Sequence, residues 1–487
     1  MCVGLLFAVA WMSYSDPSGA MPVNNTFNTA STPAPPSVNG MPNSTALTGW
    51  TAEPNTRGTI DIIWSSVSTM ILCAWTSLCL NVPPREWRPW RQVWQKTLLA
   101  CLCVLGPEFI FQLALGQWAS ARRSVEAFRR SGYSTWTLSH AFFADMGGFV
   151  LHPDDWVPFP VNAKQIHYLV TEGYIPFSAI DLEPEAIKEK NKGDALARCI
   201  AVTQVLWFTI NCSMRWLQRY EVTTLELTTL GFIICTLGTY FCWASKPKDV
   251  TRPFVLRPSQ TLAAILVRAG DNAKYPYRNT PLDFVGCDQW SWTLYWRYWL
   301  NLLSSLHIVL SSRQRPLIKI PDDNFPPPSL ATVPVLCLVQ LGSAAIHLLG
   351  WRSVFPTVIE SQLWKVSTAV LLGSVVVAWL TEICVWRIPT LAASHAKSIH
   401  SKIDFISTIP PSPRRFKRTF FTRLWNNSPD NDPNLDVPIT ALLPMTLAGA
   451  SYCIVRGYIL IQDFVNLRAQ PQSVYAQVDW SVYWPHF

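Results

Sequence analysis

Charged side chains are scarce in this sequence. Asp, Glu, Lys and Arg make up 14% of its 487 residues, whereas they make up about a quarter of a typical soluble domain. Hydrophobic residues, in contrast, account for 49% of the chain. This balance argues against an ordinary soluble globular protein and favours membrane spans that are joined by polar loops.

Cysteine pairs with a functional spacing are also missing. The 13 cysteines contain no CxxC pair, which is the spacing that zinc sites and thiol redox motifs use. Most of them, such as Cys73 and Cys235, fall inside apolar runs, where a free thiol behaves as a small hydrophobic side chain. His140, His152 and Asp154–Asp155 have side chains that can bind metals, but their spacing matches no recognised ligand pattern. We therefore expect no disulfide framework, no metal and no cofactor.

The familiar catalytic motifs are missing as well. The sequence has no GxSxG elbow, Walker loop, HExxH helix or Rossmann glycine fingerprint, and it lacks the aspartate motifs of soluble terpene synthases. Its net charge of +8 comes from scattered residues, with the densest cluster, PRRFKR, at 413–418. A solvated loop is the preferred interpretation of that cluster, and contact with anionic lipids is the alternative. We expect no nucleic-acid partner.

Long apolar runs are what the sequence has in abundance. A membrane span needs roughly 20 apolar residues, and the segments that provide them are 60–82, 96–117, 196–216, 225–244, 331–350, 364–386 and 439–461. An eighth segment, 286–311, is aromatic and carries Arg297 in its middle, so it either spans the membrane or lies in its interface. The sequence predicts an all-α fold, a polytopic transmembrane helix bundle of seven to eight spans, and eight is the preferred number.

The N-terminal residues differ in composition from the rest of the chain. Residues 1–58 begin with a short apolar run, continue rich in Ser, Pro, Asn and Thr, and hold two glycosylation sequons, at Asn24 and Asn43. We predict a signal-like, disordered lumenal segment there, in a glycoprotein whose membrane domain covers residues 59–487. Two loops of this domain, 118–195 and 388–438, are expected outside the membrane.

The first of these loops is unusually hydrophobic. Its stretch from Thr135 to Val150 predicts a partly amphipathic helix that dips into the bilayer face or packs against the bundle. Basic residues set the orientation, since cytosolic loops carry an excess of Lys and Arg. The loop after the first span and the loop 388–438 are both basic, which places both in the cytosol. Eight spans leave a conflict, because Arg122 and Lys246 would then face outward.

Ionisable residues inside apolar spans are the strongest functional signal, because a charge at bilayer depth costs from about 3 to more than 10 kcal/mol. Glu108 lies in the middle of the segment 96–117, next to Pro107, which removes a backbone donor and loosens the helix. A neutral carboxylic acid in a dry pocket is a competent proton donor. A hydrogen bond that merely joins two helices is the alternative. Glu226 and Glu382, near the ends of their spans, are expected at the interface.

His140 and Asp145 form a second candidate group. They lie five residues apart, so they would not face each other on a continuous helix, where neighbours are three or four apart. They converge only if Gly147–Gly148 ends the helix near Asp145. A helix cap and a hydrogen-bonded interfacial histidine are the alternative interpretation.

His347, Glu360 and Arg456 complete the candidate site residues. His347 lies well inside its span, whereas Glu360 begins the next span and has the alternative role of an acid matched to the helix dipole. Arg456 stays charged, so it needs a carboxylate, carbonyl groups or an anionic ligand. We predict Glu108 as its ion-pair partner.

Several motifs resemble those of a large, mostly uncharacterised family of fungal polytopic membrane proteins. They are RGTIDIIWS (57–65), GPEF (106–109), STWTLSHAFFADMGGF (134–149), KGDALAR (192–198), LELTTLG (225–231), IHLLGW with FPTVIE and LWK (346–365), and PQSVYAQVDWSVYWPHF (471–487). They cover most of the chain beyond residue 55. The family in turn resembles the membrane-bound terpene cyclase of the macrophorin pathway, a meroterpenoid cyclase that protonates the terminal olefin of a prenylated ring.

The resemblance implies a task for the buried acids. We predict an integral membrane enzyme for a lipophilic isoprenoid or meroterpenoid substrate, in which Glu108 or Asp145 donates the initiating proton. Tryptophan and tyrosine faces can stabilise the resulting carbocation through cation–π attraction, and the chain has 24 tryptophans.

Two further hypotheses use the same residues. A membrane transporter or receptor-like protein would use Glu108, His347 and Arg456 as a buried proton or ligand relay, and a structural protein would use them to lock helices together. In each case we expect membrane lipids as partners and residence in the endoplasmic reticulum or another endomembrane. A lipophilic small molecule is the expected substrate of the enzyme.

Overall fold

The structure is a computed structural model. It describes residues 47–52, 57–84, 86–183, 195–250, 252–273, 277, 279–285, 290–305, 316–329, 331–387, 437 and 439–480. The signal-like segment, both sequons and nearly all of the basic loop 388–438 lie outside the described residues.

Helices dominate the described part of the chain. In chain order the α-helices are α1 (Thr59–Ser77), α2 (Pro89–Leu105), α3 (Pro107–Arg130), α4 (Leu138–Asp145), α5 (Ala163–Thr171), α6 (Ala195–Leu217), α7 (Thr224–Cys242), α8 (Leu262–Ala269), α9 (Ser291–Ser305), α10 (Val333–Ala345), α11 (Val358–Thr381) and α12 (Ile439–Val465). The strands are β1 (Leu47–Thr48), β2 (Phe149–Leu151), β3 (Phe159–Val161), β4 (Phe254–Leu256) and β5 (Gln470–Pro471). In the three-stranded sheet β2 lies between β3, to which it is antiparallel, and β4, to which it is parallel.

Six of the described helices have the length and composition to cross a membrane. They are α1, α6, α7, α10, α11 and α12, the last three extended by short helical turns. In α7, 67% of the apolar window is buried, against 22% in α6, so α7 is central and α6 is peripheral. The prediction of a mostly helical chain with several candidate spans is therefore confirmed, with six such helices, or seven if one bent pair counts as a span, instead of the eight preferred from sequence.

The predicted span 96–117 is broken into α2 and α3, which meet at an angle of 113°. Gly106 lies between them with φ −152° and ψ 78°, which ends α2, and Pro107 is the first residue of α3. Proline is well suited to that position because its missing N–H would have no partner there. A Cβ on Gly106 would lie 2.6 Å from the Phe109 ring, so the close approach requires glycine.

Both helices of this broken pair reach the same end of the bundle. On α2, the Lys96 amine lies 4.9 Å from the centre of the Trp75 ring, near the end of α1. On α3, Gln117 accepts a hydrogen bond from Lys246, which also donates to the carbonyl of Cys79 just beyond α1. The pair therefore enters and leaves from one side, as a re-entrant helical hairpin whose tip is Gly106.

The pairing of β1 with β5 indicates whether the chain crosses the bundle an even or an odd number of times. Leu47 lies opposite Pro471 in this antiparallel pair, so the chain enters α1 and leaves α12 at one end of the bundle, here called the terminal side. The number of crossings between these strands is then even, and six satisfies this condition. The segment predicted as an eighth span, 286–311, contains the 15 residues of α9, and its remaining residues, apart from Trp290, lie outside the described part of the chain.

The opposite end, here called the loop side, collects the basic residues. It carries the loop after α1, the C-terminal part of α3 with Arg122, and Lys246 after α7. The conflict expected from eight spans disappears, because the re-entrant hairpin does not move the following loops across the membrane. By the excess of Lys and Arg in cytosolic loops, we expect the loop side to face the cytosol.

The described part of the predicted loop 118–195, residues 118–183 and 195, is a folded module on the loop side. Helix α3 continues through it to Arg130, and α4 packs against α3 and the β2–β3–β4 sheet with Trp136, Phe143 and Phe149 buried. Packing against the bundle, one of two interpretations for Thr135–Val150, is therefore confirmed. The helix is shorter than predicted because Gly147 has a φ of +84°, which ends it before β2.

The topology predicts which positions are reached from one side of the membrane. We expect Arg91→Cys on α2 and Arg130→Cys on α3, both exposed, to react with an impermeant maleimide from the same side of sealed microsomes. Arg352→Cys, exposed on the terminal side, should react from the opposite side. The measurement needs a background in which the exposed Cys101, Cys199 and Cys384 are replaced. Labelling of positions 91 and 130 from opposite sides would show that α2 and α3 form a crossing span.

Candidate functional site

A strip of polar side chains runs along α12 inside the bundle. Tyr452, Arg456 and Asp463 are spaced by four and seven residues, which places them on one helix face. Each is at most 6% exposed. This face meets the tip of the re-entrant hairpin, and it also meets α7 and α10. Groups that are costly to bury are thus concentrated in one region.

Glu108 lies at the hairpin tip, in the first turn of α3, and is 3% exposed. The Tyr452 hydroxyl donates a hydrogen bond to its Oε1 at 2.6 Å. Its Oε2 is buried and has no hydrogen-bond partner among the described residues. Oε2 is therefore a buried acceptor that the described residues leave without a hydrogen bond.

A cavity of about 50 Å³ lies beside Glu108, between α3, α9, α11 and α12. Its wall is largely aromatic, with Phe109, Trp292, Trp379 and Tyr452. The Phe109 ring packs edge-to-face on Tyr452 at 5.4 Å and on Trp292 at 6.2 Å between ring centres. The cavity, here called the aromatic pocket, presents ring faces and one carboxyl group to an occupant.

Part of the aromatic pocket's lining comes from α11 and α12 and lies near the outer surface of these helices. Gly449, which lines it, is exposed, and Ala378 is half-buried. A Cβ placed on Gly449 would have no described atom within 4 Å. By their composition we expect these helix surfaces to face lipid, which would place this side of the aromatic pocket next to the bilayer.

Two glutamines hold one wall of the aromatic pocket in place. Gln340 of α10 donates to the side-chain oxygen of Gln112 at 2.9 Å, and the Trp379 indole donates to Gln340 at 2.8 Å. All three side chains are buried. Sequence reasoning missed this network, although an amide in the middle of an apolar span was a usable signal because it must find a partner.

Arg456 binds the hairpin tip and His347, not Glu108. Its Nε donates to the carbonyl oxygen of Leu105 at 3.2 Å, and its Nη1 lies 3.0 Å from His347 Nε2. A guanidinium can only donate, so Nε2 accepts and the imidazole is neutral. The ring proton then sits on Nδ1, 3.3 Å from the Ala344 carbonyl. The predicted ion pair between Arg456 and Glu108 is therefore wrong.

Three of the six candidate residues nevertheless come together. Glu108, His347 and Arg456 meet around the hairpin tip, where the Tyr452 hydroxyl also lies 3.5 Å from the Leu105 carbonyl. The other three candidates, His140, Asp145 and Glu360, lie elsewhere in the fold.

His140 has a structural role at the start of α4. Its Nδ1 accepts from the backbone N–H of Thr137, in a capping box, and its Nε2 donates to the Leu182 carbonyl at 2.8 Å. Both ring nitrogens are thus occupied in a residue that is 2% exposed. His140 is therefore a helix cap and a hydrogen-bonded histidine, as in the alternative interpretation. It does not contact Asp145.

Asp145 lies at the junction of α3 with the module. Ser120 donates to Oδ2 and the backbone N–H of Ala163 donates to Oδ1, each at 3.0 Å. The residue is half-buried by surface area, but these bonds enclose its carboxylate. Burial raises the pKa of Asp145, and the two hydrogen bonds together with Lys164 and Arg123 oppose that shift.

Asp145 also lines a polar cavity of about 140 Å³ on the loop side, with Arg297 and Asn324. The described residues that line it and those that line the aromatic pocket have no member in common. Asp145 therefore lines a cavity with largely polar neighbours, in contrast to Glu108.

Glu360 begins α11 on the terminal side, in the first helical turn. Its carboxylate accepts from Gln462 at 3.0 Å, bonds the Thr357 hydroxyl of its own helix cap and forms an ion pair with Arg468. This placement agrees with an acid matched to the dipole of its helix. It lies away from the aromatic pocket.

Other buried acids differ from expectation. Glu226, predicted at the interface, is 1% exposed and forms an ion pair with Arg57. Glu382 is also buried, and accepts hydrogen bonds from the Trp290 indole and the Ser291 hydroxyl. Both lie near span ends as the sequence indicated, but each is covered by a neighbouring segment, which sequence position alone does not reveal.

Comparison with known proteins gives one match. Residues 35–269, slightly less than half of the chain, match the model of a family of unknown function (DUF8562). This region contains Glu108, His140 and Asp145 but not His347, Glu360 or Arg456. No curated protein and no solved structure matches the chain. The resemblance to fungal membrane proteins and to the terpene cyclase stays a prediction.

The raised pKa of Asp145 predicts the effect of Asp145→Asn on stability. In the unfolded protein the pKa of an aspartate is about 3.9. As pH rises from this value to the higher pKa of Asp145 in the folded protein, the wild type loses stability. Above that pH the loss stays constant. Asparagine avoids this loss and can still bond Ala163 and Ser120. We therefore expect the variant to unfold at a higher temperature than the wild type at pH 7.5, with the difference vanishing near pH 4. Intrinsic tryptophan fluorescence in detergent measures it.

Asp155→Asn is a control of opposite sign on the same module. The backbone N–H groups of Leu262 and Ala263 lower the pKa of Asp155, so its ionised form stabilises the fold above the unfolded pKa. We expect this variant to unfold at a lower temperature than the wild type at pH 7.5, and the difference to shrink as pH falls. Destabilisation by Asp145→Asn at pH 7.5 would contradict the assignment.

Proposed function

We propose that the protein is an integral membrane enzyme for a lipophilic isoprenoid or meroterpenoid substrate, and that Glu108 starts cyclisation by protonating a carbon–carbon double bond. The observation that carries this proposal is that Glu108, which lines the aromatic pocket, has a carboxyl oxygen, Oε2, without a hydrogen-bond partner among the described residues. A prenyl chain partitions into the bilayer and would enter from the side, end first.

The proposed step needs no cofactor. The O–H bond at Oε2 breaks as a new C–H bond forms at the terminal double bond, which leaves a tertiary carbocation. The π electrons of the next double bond then close a ring, and the final cation loses a proton from a neighbouring carbon to the Glu108 carboxylate. The product is an isomer of the substrate, and the acid is regenerated.

The pocket supplies what a carbocation requires. Trp292 and Trp379 present large π faces, which attract a cation, and Gln340 fixes Trp379 by a hydrogen bond at 2.8 Å. An apolar wall excludes water, which would otherwise quench the cation early. The cavity of about 50 Å³ is smaller than the roughly 150 Å³ that accommodates benzene, so it would have to widen to hold the reacting end of a chain, and the rest of the substrate would extend into lipid.

Arg456 and His347 are positioning residues in this proposal. Arg456 binds the Leu105 carbonyl at the hairpin tip, and His347 accepts from Arg456. Together they hold the tip, and thereby Glu108, in place. Asp145 is not the donor in this scheme because it faces the polar cavity.

Glu108→Gln tests the proposed donor. Glutamine keeps the oxygen that accepts from Tyr452 but cannot protonate an olefin, so we expect product formation to fall by about 100-fold or more. Microsomes that contain the full chain are incubated with farnesyl- and geranylgeranyl-substituted phenols, and the products are quantified by mass spectrometry. Unchanged protein levels and thermal midpoint would show that folding is intact.

Glu360→Gln is the matched control, since it makes the same change in an acid outside the aromatic pocket. We expect this variant to keep product formation close to that of the wild type. Full product formation by Glu108→Gln would refute the proposal, as would an equal loss in both variants.

Gly449→Leu tests the opening of the aromatic pocket. Space around Gly449 is open, so leucine fits without strain but fills the opening, and we expect at least a 10-fold loss of product formation with little change in thermal midpoint. Gly457→Leu, on the same helix and with no described atom within 4 Å of its Cβ position, is the control. Equal activity of the two variants would show that substrate does not enter there.

A transporter or receptor-like protein with a buried relay is the second candidate. The observation in its favour is the polar strip on α12, from Tyr452 past Arg456 to Asp463. In this alternative Glu108→Gln abolishes pH-driven uptake into vesicles, and no new product appears with any prenylated compound. We propose residence in the endoplasmic reticulum or another endomembrane for either function, with membrane lipids as partners.

A further inference from the structure

Asp463 is a buried acid that the proposed reaction does not use. It lies near the end of α12 on the terminal side and is 0% exposed. Neither carboxylate oxygen makes a hydrogen bond within the described part of the chain. The hydroxyls of Thr224 and Thr228, one turn apart on α7, interact weakly with this carboxylate, outside the geometry of a regular hydrogen bond. A carboxylate in such a place is costly unless something neutralises it.

Two more buried side-chain oxygens, near the end of α12 and the start of α7, also lack a hydrogen-bond partner. Asn466 follows three residues later and is 1% exposed, and Thr224 is also 1% exposed. The Asn466 Oδ1 and the Thr224 Oγ1 have no hydrogen-bond partner among the described residues. Four oxygen atoms without partners, two of them from one carboxylate, therefore lie where α12 ends and α7 begins.

The arrangement matches the needs of a small cation. The C-terminal end of α12 carries partial negative charge, which attracts a cation. The nearest guanidinium on the same helix, that of Arg456, is bonded to the Leu105 carbonyl and to His347. It therefore does not satisfy the carboxylate of Asp463.

We propose that Asp463, Asn466 and Thr224 form a binding site for a monovalent cation, with Na⁺ as the ion of matching chemistry. Carboxylate, amide and hydroxyl oxygens are hard ligands, and the ends of helices contribute to Na⁺ sites in membrane proteins. The site holds one carboxylate, which balances one positive charge, whereas Ca²⁺ sites gather several oxygen-bearing acids.

The bound ion would join three parts of the terminal side. It would link α7 to α12, and Asn466 connects onward to β5, because the Gln470 side chain donates to the Asn466 carbonyl at 2.7 Å. Binding to the folded state alone raises the free energy of unfolding by RT ln(1 + c/Kd), where c is the ion concentration, so the effect grows with the logarithm of c above Kd. The inference is independent of the reaction proposed at Glu108.

The test compares thermal unfolding of the purified full chain in equal concentrations of sodium chloride and choline chloride. We expect the midpoint to be higher in Na⁺ by about 3 °C or more. Asp463→Asn should remove this difference while it preserves the size of the side chain. Thr224→Val, which removes one ligand oxygen, should reduce the difference, and it keeps the test valid if Asp463→Asn does not fold.

Asp61→Asn is the matched control. Asp61 is a partly exposed carboxylate on the terminal side that accepts from the backbone of Gly58 at 3.0 Å. This variant should keep the full Na⁺ effect. Equal midpoints of the wild type in Na⁺ and choline would overturn the proposal, as would a Na⁺ effect that survives in both Asp463→Asn and Thr224→Val.

Discussion

The break between Gly106 and Pro107 is the constraint on which the rest of the structure depends. In a continuous helix the Leu105 carbonyl would accept from the N–H of Phe109, but here that N–H bonds to Gly106. The Leu105 carbonyl is thereby released, and Arg456 binds it. The same break puts Glu108 in a first helical turn at the centre of the bundle. One local conformation thus provides the acid, its location and the acceptor for the nearby cation.

The same hairpin also sets the charge distribution of the whole chain. Because α2 and α3 return to the side from which they came, the loop after α1, Arg122 and Lys246 share one side. Lys246 is fully buried, and burial lowers its pKa, yet it joins three elements by bonding Gln117 and the Cys79 carbonyl. The loop-side module is built on these contacts. If α2 and α3 formed a crossing span instead of a hairpin, every basic group after them would lie on the opposite side of the membrane.

Sequence predicted the spans where composition alone decides. Six of the apolar runs became helices that cross the bundle, because length and hydropathy determine such segments. It failed for 96–117, since the same residues suit a crossing helix and a returning one. Three of the six candidate residues were predicted correctly as members of one buried group. Glu108, His347 and Arg456 were found because each is costly inside a membrane, but their pairing depends on distances between helices. Asp463 was missed because it lies near a span end, where an acid usually reaches water.

The polar strip on α12 is best understood as two sites separated by a permanent positive charge. Arg456 stands between Glu108 and Asp463 and keeps His347 neutral by donating to its Nε2. A proton moving along the strip would have to pass a guanidinium, which repels it and has no lone pair to accept it. A proton relay therefore requires Arg456 to break its hydrogen bonds to the Leu105 carbonyl and to His347 Nε2. A reaction confined to the aromatic pocket requires no such movement. The cost of unpairing buried groups is the physical reason to prefer local chemistry at Glu108.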